Sequence, residues 1–154
     1  MQLIQAQSIG FCFGVRRAID MAEGILKERG SLYILGELIH NASVIRRLEA
    51  LGAVTVNSIE EVPTGETVLI RSHGVPPKVI KDCAARSLNV KNATCPFVEK
   101  IHSIVSEQYS AGRTILIYGK DNHPECIGIN GCCEDRGIFV HTAEDIAVLD
   151  AELK

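Results

Sequence analysis

The sequence lacks any apolar run long enough to cross a bilayer, and its first residues lack the order of basic, apolar and small residues that marks a secretory signal peptide. It also lacks an excess of positive charge, because 16 lysines and arginines are offset by 19 aspartates and glutamates. We therefore expect a cytoplasmic protein with no membrane or nucleic-acid partner, in which any anionic ligand is held by a local site.

The sequence also lacks a C-x-x-C pair, the spacing of a local zinc knuckle. Its six cysteines are nevertheless many for a reducing compartment, where such residues usually bind metals or take part in catalysis. A secreted disulfide framework is the alternative. The missing signal peptide and the long helical and strand periodicities argue against it.

Short apolar strands alternate with amphipathic helices along the chain, a pattern typical of an α/β fold with mainly parallel sheets flanked by helices. We expect strands at 3–4, 32–35, 53–56, 67–70, 88–90, 114–118 and 138–140. We expect helices at 15–26, 42–51, 77–84 and 96–105, one that begins at 124, and a short one at 142–149, with Asn41 as the cap of the second.

Cys12 lies between Gly10 and Gly14, directly before the first expected helix. Glycine allows a sharp turn and the close approach of a bulky group, and a helix start favours a thiolate. Cys12 is therefore a candidate for chemistry, although a small buried residue in a turn is the alternative.

Five chemically active side chains each fall just after an expected strand: Cys12, His40, His73, Cys95 and His123. Ligands of parallel α/β sheets bind at the carboxyl ends of the strands, so we expect these residues at one edge. Two thiols far apart in sequence fit an iron–sulfur cluster with room for substrate better than a closed zinc site.

Three histidines, at 40, 73 and 123, are candidates for hydrogen bonds to phosphate or a polar substrate. His102 and His141 are interpreted instead as solvated or satisfied surface histidines.

Glu125, two residues after His123, is a candidate proton donor, or simply a first-turn helix residue. Cys126, Cys132 and Cys133 either join His123 in a small zinc site or are ordinary buried residues, which their spacing favours. Cys83 is expected in the core.

Five ordered stretches together carry a family resemblance: Gly10-Phe11-Cys12, Glu37-Leu38-Ile39-His40-Asn41, Ser72-His73-Gly74-Val75, Ala93-Thr94-Cys95-Pro96 and His123-Pro124-Glu125. In this order and spacing they resemble the 4-hydroxy-3-methylbut-2-enyl diphosphate reductases, the LytB/IspH family. The resemblance runs along essentially the whole chain, which corresponds to about the first half of a family member.

The resemblance implies three similar α/β domains around a [4Fe–4S] cluster, of which this chain supplies a first domain, 1–93, and part of a second, 94–154. It implies that Cys12 and Cys95 are two of three cluster thiolates, that His40, His73 and His123 bind the substrate diphosphate, and that Glu125 supplies protons. The third cysteine and a later Ser-x-Asn motif of the family have no counterpart here.

The implied activity is the reduction of 4-hydroxy-3-methylbut-2-enyl diphosphate to isopentenyl and dimethylallyl diphosphate, the last step of the non-mevalonate isoprenoid pathway. A ferredoxin or flavodoxin would deliver the electrons. We expect the chain to be an amino-terminal fragment that is inactive alone. The alternative is a non-catalytic iron–sulfur or metal-binding module derived from the family.

Overall fold

The computed structural model describes residues 2–7 and 9–152, the last three of them by backbone only. Helices alternate with strands as the sequence predicts, except that a short 3₁₀ helix, Ile59–Glu61, joins the second and third strands. The helices are α1 (Phe13–Arg29), α2 (Ala42–Ala50), α3 (Pro77–Ala85), α4 (Pro96–Ser110), α5 (Pro124–Gly131) and α6 (Ala143–Glu152). The strands are β1 (Leu32–Leu35), β2 (Ala53–Val56), β3 (Thr67–Ile70), β4 (Asn89–Asn92), β5 (Leu116–Tyr118) and β6 (Ile138–Val140).

The first four strands form one parallel sheet in the order β2-β1-β3-β4. Its register pairs Leu32 with Ala53, Tyr33 with Val68, and Ile70 with Asn92. β5 and β6 form a second, two-stranded parallel sheet. The α/β class is confirmed, whereas the division into 1–93 and 94–154 stays a prediction.

The core lies on both faces of the larger sheet. One layer packs α1 and α2 against it and includes Ala18, Leu26 and Leu48. The other includes Val62 and Cys83, so Cys83 is a core residue as predicted. All of β3 is buried, which suits a central strand covered on both faces.

The predicted strand at Leu3 and Ile4 is wrong. Residues 2–7 have no regular secondary structure, and these two side chains are 87% and 83% exposed. A strand is stabilised by hydrogen bonds to a neighbour, and no described strand pairs with this segment. The apolar pattern of α4 also predicts more burial than occurs, because Ile101 and Ile104 remain 39% and 47% exposed.

Within residues 2–7 and 9–152, none of the helices combines the length and the apolar character that a membrane span requires.

Candidate active site

Four of the predicted site residues follow the carboxyl ends of strands. His40 follows β1, His73 follows β3, Cys95 follows β4 and His123 follows β5. The expectation that Cys12 also follows a strand is wrong, because among the described residues no strand precedes it, and it caps the start of α1 instead.

A chain of hydrogen bonds through the buried Ser72 holds three of these loops together. The Ser72 hydroxyl donates to the carbonyl oxygen of Leu38 at 2.9 Å. The backbone carbonyl oxygen of Ser72 accepts a hydrogen bond from the amide of Cys95 at 2.9 Å. The loops after β1, β3 and β4 are thereby fixed relative to one another.

The three predicted histidines converge. The ring centroids of His40 and His73 are 4.6 Å apart, and His123 lies 6.2 Å from the first ring and 5.9 Å from the second. These residues, which we call the histidine cluster, come from loops of two different sheets. They present several imidazole nitrogens to one small region.

His73 is a half-buried member of the histidine cluster. Its Nδ1 atom is buried and has no hydrogen-bond partner among the described residues. Burial, followed by the charges of His40, Arg71 and His123, lowers the pKa of His73 to about 4. The ring is therefore neutral at pH 7 and has both a hydrogen-bond donor and an acceptor.

The other two rings are oriented by local contacts. His40 Nδ1 lies 3.2 Å from the Glu37 carboxylate. His123 caps α5, and its Nδ1 accepts a hydrogen bond from the Glu125 amide at 3.2 Å. Because Nδ1 accepts, a neutral His123 carries its proton on Nε2, which is left to donate to a ligand.

Glu125 is half-buried in the first turn of α5, two residues from His123. Its carboxylate makes no hydrogen bond to another described residue, and its negative charge acts on His102, opposing the burial that lowers the pKa of His102. A carboxyl group that is adjacent to the histidine cluster and free of a structural partner is suited to proton transfer.

The two predicted thiols lie at the starts of two neighbouring helices. Cys12 caps α1 and is exposed, Cys95 caps α4 and is half-buried, and neither sulfur makes a capping hydrogen bond. A Cβ atom at Gly14 would lie 2.6 Å from the Cys95 sulfur, so this thiol rests against the first turn of α1, two residues from Cys12.

Arg17 joins the same two elements. Its guanidinium donates to the carbonyl oxygens of Thr94 at 3.1 Å and Asn92 at 3.3 Å, which ties α1 to the loop that carries Cys95. Sequence analysis missed this residue. The only feature of the sequence that points to Arg17 is its position, one turn into the helix that begins directly after the candidate ligand Cys12.

Space for a bound group adjoins Cys12. An open cavity of about 510 Å³ is lined by residues from Gln7 to Arg16 that include Cys12. Gly10 has φ of +99°, a backbone conformation that side chains disfavour, so the glycine turn expected from the sequence is present.

The thiols fit a metal cluster only in part. The Cys95 thiol lies against the first turn of the helix that Cys12 caps, but no three His, Cys, Asp or Glu residues within 2–7 and 9–152 are arranged to hold a metal ion. The zinc alternative for Cys126, Cys132 and Cys133 gains no support either. Cys132 and Cys133 are buried, and burial raises the pKa of both thiols.

Two residues near the histidine cluster were not predicted as site residues. Arg71 precedes Ser72 and packs against Gly36. Its Nε is buried with no hydrogen-bond partner among the described residues, and burial lowers its pKa. His102, interpreted from sequence as a solvated or satisfied surface histidine, is half-buried, and its Nε2 has no partner in the described part of the chain, so that interpretation is wrong. His141 is exposed and lies 3.3 Å from Asp121, as a surface histidine should.

A sequence model of the family described as "LytB protein" matches residues 3–153 of this chain. Curated relatives named 4-hydroxy-3-methylbut-2-enyl diphosphate reductase include those of Clostridioides difficile and Aquifex aeolicus. The first is 44% identical over 147 residues, which are 95% of this chain and 53% of the relative. The second is 43% identical over 150 residues, with 95% and 52% covered.

Solved structures give the same picture. The E-1-hydroxy-2-methyl-but-2-enyl-4-diphosphate reductase of Plasmodium falciparum superposes with a TM-score of 0.87 at 30% identity, over 92% of this chain and 45% of that one. A second reductase structure, described as the terminal enzyme of the non-mevalonate pathway, superposes with a TM-score of 0.80 at 43% identity, over 95% and 53%. The chain thus spans about half the length of the relatives that it matches.

Proposed function

Because this chain belongs to the LytB protein family, we propose that it forms the diphosphate-binding and proton-delivering part of a 4-hydroxy-3-methylbut-2-enyl diphosphate reductase. The products would be isopentenyl and dimethylallyl diphosphate. The observation that carries the proposal is the histidine cluster, in which three rings lie within 4.6 to 6.2 Å of one another next to Glu125.

In this proposal the histidine cluster binds the substrate diphosphate. Imidazole N–H groups donate to phosphate oxygens, and His123 Nε2 is already oriented as a donor by the bond at Nδ1. Arg71 adds a positive charge that is near enough to lower the pKa of His73 and that forms no ion pair with a described acid. A diphosphate would offset the burial of this guanidinium.

Glu125 delivers protons in the same proposal. Reduction of the allylic alcohol breaks its C–O bond and forms a C–H bond, and it consumes two electrons and two protons. One proton leaves with the hydroxyl group as water, and the other is added to carbon. The position of Glu125 two residues from His123, and the lack of a hydrogen bond from its carboxylate to another described residue, support this role.

We propose that Cys12 and Cys95 supply two ligands of a [4Fe–4S] cluster, a group that, when bound, supplies electrons and a Lewis-acidic iron. The contact of the Cys95 sulfur with Gly14 and the Arg17 bonds support their joint placement. Electrons would come from a ferredoxin or flavodoxin. Six free thiols are consistent with the cytoplasm, where we place the protein.

We also propose that 1–93 and 94–154 are separate structural units, since the two sheets lie on either side of this boundary. A non-catalytic iron–sulfur or metal-binding module is the second candidate function. The two free thiols at the starts of α1 and α4 are the observation in its favour.

Calorimetric titration of this chain with inorganic pyrophosphate tests the proposal. We expect His40→Ala and His73→Ala to weaken binding about tenfold each, the effect of losing one charge-assisted hydrogen bond. His141→Ala is the matched control, because that ring pairs with Asp121 outside the histidine cluster. Equal affinities for all four proteins would exclude the histidine cluster as the diphosphate site and favour the second candidate.

A further inference from the structure

His102 lies in α4, outside the histidine cluster. Its ring is half-buried, and its Nε2 atom is buried without a hydrogen-bond partner among the described residues. A buried polar atom without a partner is unfavourable. The position of this ring therefore requires a reason other than its own hydrogen bonding.

Two glycines enclose the His102 ring. A Cβ atom at Gly74 would lie 2.8 Å from its Cε1, and one at Gly128 would lie 3.1 Å from its Nε2 and 3.2 Å from its Cε1. Gly74 follows His73 directly, and Gly128 is in α5, three residues after Glu125. The imidazole thus fills the space between the loop after β3 and the helix that carries the proposed acid.

The same two elements also touch each other directly. A Cβ atom at Gly128 would also lie 3.6 Å from the carbonyl oxygen of His73. Further along α5, Gly131 packs directly on Pro76, which caps α3. The loop and α5 are therefore in close contact beside the His102 ring, and the ring packs against Gly74 of the loop and Gly128 of the helix.

We propose that His102 is a positioning residue, which acts as a spacer that fixes His73 relative to His123 and Glu125. Movement of α5 toward the loop would require the ring to leave its place between two glycine backbones. The 5.9 Å separation of the His73 and His123 rings thus depends on a side chain that belongs to neither element. The consequence for diphosphate binding rests on the proposed function, but the consequence for ring spacing does not.

The test compares His102→Ala with His102→Gln, whose amide nitrogen reaches about as far as Nε2. His141→Ala is the control for the loss of a histidine elsewhere. Three quantities are measured on the 154-residue chain: the nuclear Overhauser contact between the His73 and His123 rings, pyrophosphate affinity by calorimetry, and the free energy of unfolding in urea.

We expect His102→Ala to weaken the ring contact and to lower pyrophosphate affinity about tenfold, as small displacements of binding groups do. His102→Gln should keep both within about threefold of the wild type, because it refills the space. His141→Ala should change neither quantity. If His102→Ala lowers only the free energy of unfolding, His102 is a packing residue and the proposal is overturned.

Gly128→Ala approaches the same contact from the other side and protects the test if His102→Ala folds poorly. Its methyl group should displace the ring and lower the affinity, and the double variant His102→Ala/Gly128→Ala should regain part of the loss, since the methyl then occupies vacated space. Additive losses would contradict the spacer role. If the wild type does not bind pyrophosphate, the proposed function fails. The nuclear Overhauser contact between the His73 and His123 rings in the same variants still shows whether His102 sets the spacing of these rings.

Discussion

Gly14→Ala tests the contact between α1 and Cys95. Alanine is favoured over glycine inside a helix by about 1 kcal/mol. At Gly14, however, the new Cβ atom would lie 2.6 Å from the sulfur and 3.0 Å from the Cβ of Cys95. Overpacking of a well-packed site costs about 1 to 3 kcal/mol, so the variant should range from unchanged to about 2 kcal/mol less stable.

Gly24→Ala is the matched control in the same helix. Gly24 is exposed, and a Cβ atom there meets nothing within 4 Å. Only the helical preference remains, so this variant should be up to about 1 kcal/mol more stable, or about 2–4 °C higher in Tm for a chain of this size. The two substitutions should therefore differ by about 1–3 kcal/mol, which is the cost of the contact with Cys95.

Two measurements are made on each variant at pH 7 under reducing conditions. The first is the free energy of unfolding in urea, and the second is the rate of alkylation at each cysteine, determined by mass spectrometry. Gly14→Ala should alter the alkylation rate of Cys95, because the thiol must move away from α1, while buried Cys83 remains protected in every variant. The close packing of Cys95 on α1 would be refuted if Gly14→Ala stabilised the chain as much as Gly24→Ala and left the alkylation of Cys95 unchanged.

Three more predictions follow from single residues. Glu125→Gln should keep the pyrophosphate affinity of this chain within about twofold, yet slow reduction of the allylic diphosphate about 100-fold in an anaerobic assay of a full-length, cluster-loaded enzyme; near-normal turnover would remove Glu125 from proton delivery. Asn41→Ala should cost about 1 kcal/mol in urea unfolding, because the Asn41 side chain accepts from the amides of Ser43 and Val44 at the start of α2; an unchanged midpoint would contradict the cap. His73 has a folded pKa of about 4, below its ordinary value of 6.5, so its contribution to stability is full above pH 6.5 and is lost as the pH falls toward 4. The free energy of unfolding should decline less steeply over that window in His73→Gln, and equal slopes would show that His73 is not the group that titrates.

Local patterns in the sequence determined most of the secondary structure. Hydrophobic periodicity, the Asn41 cap and prolines at the starts of α3, α4 and α5 all act over a few residues, so they can be recognised without the fold. The placement of His40, His73, Cys95 and His123 after strands followed from the same local patterns, together with the rule for parallel sheets.

Local patterns failed where a residue depends on a distant neighbour. Leu3 and Ile4 have the composition of a strand, but a strand forms only where another strand is available for pairing. Ile101 and Ile104 continue an apolar helical pattern, yet the described part of the chain does not cover them.

The candidate site itself was decided by tertiary structure. The sheet order β2-β1-β3-β4 places β1 beside β3, which brings the ring centroids of His40 and His73 to 4.6 Å although the two residues are 33 positions apart in the sequence. The burial that lowers the pKa of His73, the contact of Cys95 with Gly14 and the enclosure of His102 by two glycines arise from this long-range packing. Sequence periodicity indicates which face of a helix or strand is apolar. The distance between two side chains depends instead on which helices and strands pack together, and this packing is fixed only when the whole core forms.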